Sequence, residues 1–230
     1  AYACGRLWCS DVVLAYLPFP AADEQVVVAV PITPSRMAKE AGAQGIQVGT
    51  LFAFCNESGL EPGIRARVVQ QSLEGGVDVL TDGRASPTGF PFKVVQMGDS
   101  LASKDVYEKR ERICDLGYLR TAYRQDNGRL GFRCPAEPVE TYVKKGGARE
   151  DTVGRKCLCN ALMADIGRGQ VKSDGTIEPH LLTAGDDLQI LHRFLGGRTS
   201  YSAADVIDFL ERDVETRSPR RTATAGAAAD

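Results

Sequence analysis

The chain has 230 residues, room for one domain with a sizeable core and barely enough for a complete eightfold α/β barrel. Its 28 Lys and Arg against 30 Asp and Glu leave a net charge of −2, which argues against a nucleic-acid partner or an anionic membrane surface. The longest apolar runs, such as Val26 to Val30, fall far short of the ~20 residues of a membrane-crossing helix, so no membrane insertion is expected. Seven cysteines (Cys4, Cys9, Cys55, Cys114, Cys134, Cys157 and Cys159) form an odd set in a chain too long to need stapling, and nothing points to secretion. Reduced thiols in the cytoplasm are the expectation. With no initiator Met and no leader, the text also reads as a chain that begins within a longer protein.

Residues 1–24 show no sustained period and are left unassigned. Val26 to Val30 is a short, mostly β-branched apolar run, the pattern of a strand buried on both faces of a parallel sheet. Thr33-Pro34-Ser35 then starts a short helix that ends at Gly42, and Gly45 to Thr50 reads as a second strand ending in glycine, giving a compressed β-α-β crossover over residues 25–50. Glu61-Pro62 opens a helix with Ile64, Val68, Val69 and Leu73 at helical spacing, stopped by Gly75-Gly76. Val77 to Thr81 reads as a strand, and Ala85 to Phe92 as a turn-rich loop.

The second half reads as a series of short helices. One starts at Pro138, with Val139, Tyr142 and Val143 on one face and Gly146 past its end. A second carries Leu158, Leu162 and Ile166 and ends at Gly167, and a third runs from Asp186 to Leu195 and closes on Gly196-Gly197. Ser202 to Asp205 is a capping-box variant before Val206, Ile207 and Leu210. The tail, residues 214–230, has almost nothing to bury and is expected to be disordered.

The leading site signal is Gly45-x-Gln47-x-Gly49-Thr50. A strand that ends in glycine lets backbone N–H groups approach a phosphate, and such loops form phosphate sites in α/β barrels, although glycine ends many strands for no such reason. Around this motif lie GIQVGTLFAFCNESGL, DGRASPTGFPFKVVQ, RICDLGYLRTAY, GFRCPAEPVETYVKKGG, DTVGRKCLCNALMADIG and YSAADVIDFL. Together, from about Ala41 to Leu210, these blocks resemble the C-terminal half of the long-form nitronate monooxygenase (2-nitropropane dioxygenase) family. The resemblance implies an α/β fold: the C-terminal portion of a TIM-type (β/α)₈ barrel over residues 25–100, followed by a mostly helical extension over residues 101–213.

It also implies an FMN-dependent oxidoreductase that oxidises alkyl nitronates with O₂. Relatives in the family are FMN-dependent enoyl reductases acting on acyl thioesters, as in lipid or polyketide synthesis, which is the alternative enzymatic reading. Gly49-Thr50 matches the family's flavin-phosphate turn, with Gln47 just before it. Ala29-Val30-Pro31 stands where the family has a second glycine-rich phosphate turn, and Pro31 has no N–H to offer. The family's catalytic histidine has no counterpart, since His180 and His192 both lie downstream of the barrel portion. The expectation is therefore a partial cofactor site at Gln47, Gly49 and Thr50, no catalytic residue, and flavin binding only with the missing N-terminal barrel half as partner. A non-catalytic fragment or interaction module is the reading from a different class.

Two further signals are set aside. Cys114, Cys134, Cys157 and Cys159 are separated by 20, 23 and 2 positions, without a C-x-x-C pair. On one helix Cys157 and Cys159 would point about 160° apart, unless the helix begins later. Buried free thiols are expected, and no metal site; Cys55, just past the phosphate turn, is likewise read as packing. The basic runs Lys144-Lys145, Lys109 to Arg112 and Arg220-Arg221 have no interleaved aromatics and read as solvated faces.

Overall fold

The computed structural model describes residues 27–29 and 45–215. The short helix expected from Thr33 to Gly42, the unassigned residues 1–24 and nearly all of the tail lie outside the described residues. The chain divides into two compact units, residues 1–48 with 202–230, and residues 49–201.

In the first unit, strands β1 (Val27–Ala29) and β2 (Gly45–Gln47) pair in parallel, with Val27 opposite Gly45, Val28 opposite Ile46 and Ala29 opposite Gln47. Parallel pairing requires a crossover rather than a hairpin, and β-branched runs suit it. The second strand ends at Gln47 and does not extend to Thr50. Helix α7 (Ala203–Glu215) belongs to the same unit. Its start follows the expected capping box: the Ser202 N–H donates to Asp205 Oδ2 at 2.7 Å, and the Asp205 N–H donates back to Ser202 Oγ at 3.1 Å. Val206 is buried and Ile207 is exposed, so a single stripe of the helix is covered.

The second unit opens with α1 (Thr50–Ala53), a single turn whose Ala53 N–H bonds the Gly49 carbonyl. Helix α2 (Pro62–Leu73) has Glu61 as its cap, with Oε2 accepting from the Ile64 N–H at 2.9 Å, and it buries Ile64, Val68 and Val69. Its chain reverses at Gly75, which takes the left-handed φ of 72° that favours glycine. Strand β3 (Val79–Asp82) pairs antiparallel with β4 (Phe92–Val95), Val79 opposite Val95 and Asp82 opposite Phe92. The connection is organised by Asp82, whose Oδ1 accepts from the N–H groups of Arg84 and Ala85. The sequence reading took Phe92 as loop, because turn residues crowd the stretch before it and hide the strand's short alternation.

After α3 (Lys104–Lys109) comes an antiparallel hairpin, β5 (Thr121–Arg124) and β6 (Leu130–Arg133), where the sequence reading expected only short helices. The local reason is Asn127-Gly128 between two alternating segments, with Gly128 at φ 79°. Helix α4 (Val139–Lys144) follows Pro138, and a 3₁₀ turn (Arg149–Thr152) leads to α5 (Leu158–Asp165). A second 3₁₀ turn (Asp186–Ile190) continues into α6 (Leu191–Leu195), closed by Gly196 at φ 56° as the glycine pair suggested.

The core of this unit joins Ala85, Val94, Leu101, Leu158, Ala161 and Leu181, residues from both sides of position 100. The segment around Leu181 is tied in by backbone bonds, Val95 N–H to the Leu182 carbonyl and Leu101 N–H to the His180 carbonyl, both at 2.9 Å. The two ends of the unit are pinned as well: the Tyr201 hydroxyl donates to the Leu51 carbonyl at 2.7 Å, and the Tyr201 ring meets Phe194 edge-on at 4.9 Å between centroids.

Candidate functional site

Gln47 is the last residue of β2, and Gly49 and Thr50 begin the second unit. Gly49 is exposed, with nothing within 4 Å of where a Cβ would stand, so no close approach of backbone to backbone demands glycine there. Thr50 is buried at 7% exposure and its hydroxyl is already used: it donates to Asp187 Oδ1 at 2.6 Å and accepts from the Gly185 N–H at 3.3 Å. A side chain at Gly185 would collide with the Asp187 carboxylate, which explains that glycine.

Burial raises the Asp187 carboxyl above its ordinary range, partly opposed by the bond from Thr50 and reinforced by neighbouring Asp186. Asp186 in turn is ion-paired to Lys93. A phosphate placed on the Thr50 hydroxyl would therefore displace an internal hydrogen bond and face a carboxylate. The Thr50 side chain does not fit a phosphate ligand, and the cradle expected from Gly49-Thr50 is reduced to backbone N–H groups of a one-turn helix. Cys55 is a buried thiol that donates to the Phe52 carbonyl at 3.1 Å, the packing role expected of it.

The two histidines are not brought together. His180 is buried, its Nε2 3.9 Å from Asp99 Oδ1, beyond hydrogen-bond reach, and desolvation pushes its pKa down. His192 is exposed on α6, with Nδ1 3.2 Å from the Gln189 carbonyl. Neither has the oriented partner that a catalytic base requires.

A buried charge cluster lies outside every site signal of the sequence. Arg110, read as part of a solvated basic run, has a side chain 1% exposed and gives its Nε–H to Glu178 Oε1 at 2.9 Å. Lys172 Nζ lies 3.2 Å from Glu178 Oε2, and both partners are also buried. Nothing in the spacing of Arg110, Lys172 and Glu178 announces this convergence, because it is made by the fold of the loop over residues 167–180. Arg112 from the same run is partly buried too, donating to the Tyr107 hydroxyl at 2.7 Å and to the Thr152 carbonyl at 3.0 Å.

The cysteines of the second unit are all free thiols. Cys134 and Cys157 are buried in one small cluster with Ala136, and Cys159 packs against it. Burial pushes the Cys157 thiol up to about 11 and raises Cys134 as well. Among the described residues no group of three or more His, Cys, Asp or Glu side chains stands in metal-holding geometry, and no helix is long and apolar enough to cross a membrane. No family model matches the chain, and no curated protein and no solved structure matches it either.

Proposed function

We propose that this chain is the C-terminal portion of a cytoplasmic, FMN-dependent oxidoreductase of the nitronate monooxygenase type, and that it is catalytically incomplete by itself. The parallel pairing of β1 with β2, followed directly by Gly49-Thr50, is the observation that supports the reading. A parallel strand pair joined by a crossover is the repeating step of a (β/α)₈ barrel, and the turn after its second strand is where such barrels bind phosphate. The resemblance running from Ala41 to Leu210 supplies the chemistry, oxidation of an alkyl nitronate by O₂. None of Cys55, Cys114, Cys134, Cys157 and Cys159 is paired in a disulfide, which accords with a reducing compartment.

In this reading the flavin and the catalytic base belong to an N-terminal barrel half. The present chain contributes backbone N–H groups at Gly49-Thr50 and the packed unit behind them. The internal bond from Thr50 to Asp187 favours a second reading, in which residues 49–201 serve as a non-catalytic interaction module.

The test is to purify the chain, record its flavin absorbance and O₂ uptake with an alkyl nitronate, then add an N-terminal barrel half of the family. The chain alone should be colourless and inactive, and the assembled pair should bind FMN and consume O₂. Stoichiometric FMN on the chain alone would overturn the incomplete-site reading. An assembled pair that oxidises NAD(P)H with an acyl thioester, without O₂ uptake, would favour the enoyl reductase, and a pair that never binds flavin would leave the interaction module.

A further inference from the structure

We propose that Cys114, Cys134, Cys157 and Cys159 bind one zinc ion as a structural four-thiolate centre. The four thiols come from separate stretches of the second unit: the loop after α3, the residue just past β6, and the two sides of the start of α5. Cys134 and Cys157 share one buried cluster with Cys159 against it, and the loop that carries Cys114 is tied to both neighbours: Asn160 of α5 donates to Asp115 Oδ1 at 2.8 Å, and Arg112 donates to the Pro135 carbonyl at 3.4 Å. The helical objection to Cys157 with Cys159 disappears, because α5 begins at Leu158. Cys157 is the residue before it, with ψ at 80°, outside helical geometry.

One of the four sulfurs is met by a cationic donor that favours a thiolate. Arg120 Nη2 is 3.5 Å from Cys114 Sγ.

The buried charges point to the same anion. Arg110 and Lys172 both face the single carboxylate of Glu178, and Arg110 Nη1 and Nη2 have no hydrogen-bond partner although the side chain is 1% exposed. That guanidinium acts on Cys157. Buried guanidinium N–H groups without an acceptor are costly, and neutral thiols are weak acceptors. Zinc with four thiolates carries a net charge of −2, which partners Arg110 and Arg120, and an all-sulfur ligand set selects zinc over hard cations. Because no ligand set is already in metal-holding geometry among the described residues, binding includes rotation of the thiols toward a common point. Three of the four residues sit in loop or cap backbone, where such rotation is least hindered. Each thiol that ligates releases its proton to solvent, and no electron is transferred.

The test is elemental analysis of the full chain purified without added metal, with thiol titration before and after a strong chelator. One zinc per chain is expected, with Cys114, Cys134, Cys157 and Cys159 unreactive until the metal is removed. Replacement by Co²⁺ should give thiolate-to-metal charge-transfer absorption. Cys134→Ser and Cys157→Ser should lose the zinc, while Cys55→Ser keeps it; if the first two fail to fold, the wild-type zinc content and thiol protection decide. Zinc-free protein whose four thiols react at once, or iron with acid-labile sulfide in place of zinc, overturns the proposal.

Discussion

The Thr50 hydroxyl and the Asp187 carboxylate, 137 positions apart in the chain, are joined by a hydrogen bond of 2.6 Å. The bond ties the first turn of the second unit to the 3₁₀ turn that precedes α6, and it removes the one side-chain hydroxyl of the expected phosphate turn from the solvent.

Replacing Thr50 by Val keeps the shape and deletes the donor, leaving the half-buried Asp187 carboxylate short of a partner. The expected cost is about 1–3 kcal/mol, read as a lowered midpoint in urea unfolding, while Thr50→Ser should stay close to wild type. Saturating inorganic phosphate should not raise the thermal midpoint of the wild-type chain; a clear rise would restore Thr50 as an anion ligand.

Asp165 sits at the end of α5, 4% exposed, and burial pushes its carboxyl up to about 7. The folded chain therefore holds a proton that the unfolded chain releases near its ordinary value of 3.8. Stability contributed by this group is full below pH 4 and falls as pH rises toward 7, by an upper bound on the order of 4 kcal/mol. Asp165→Asn should remove this slope, so that variant and wild type diverge in stability as pH rises from 4 to 7. Parallel curves over that interval would show that the carboxyl is not perturbed in this way.

Glu178 is ion-paired to two buried cations, Arg110 and Lys172. Glu178→Gln keeps the volume and removes the carboxylate that both cations pair with, so a loss of about 3–5 kcal/mol is expected. Chemical denaturation of the variant should show it, and a loss under 1 kcal/mol would mean that water reaches the cluster.

Tyr201 closes the second unit on itself through its bond to the Leu51 carbonyl. Tyr201→Phe should cost about 1 kcal/mol, the usual net value of one buried hydrogen bond, whereas Tyr201→Ala should cost about 3–5 kcal/mol by opening a cavity beside Phe194. Thermal unfolding of the two variants separates the hydrogen bond from the packing.

Elements whose signals are local can be read along the chain. Glu61-Pro62 with Ile64, Val68 and Val69 specifies α2, the reciprocal bonds of Ser202 and Asp205 start α7, and Gly196 ends α6, because caps, periodicity and left-handed glycines act within a few residues. The parallel strand pair was legible as well, because Val26 to Val30 is the β-branched run of a strand suited to a parallel sheet. The hairpin from Thr121 to Arg133 also carried a local sign in Asn127-Gly128, which competing charged residues obscured.

Only the tertiary structure decided what the candidate site is made of. Gly49-Thr50 was visible as a motif, but its partner Asp187 was not, since a hydrogen bond across 137 positions leaves no periodicity to read. Arg110 looked like any residue of a solvated run until the loop carrying Lys172 and Glu178 folded over it. The cysteines were countable from the start; their gathering around the start of α5 depends on where that helix begins and on the hairpin that delivers Cys134. Local backbone preferences can be read along a chain, whereas burial and charge pairing are set by which distant segments exclude water from one another.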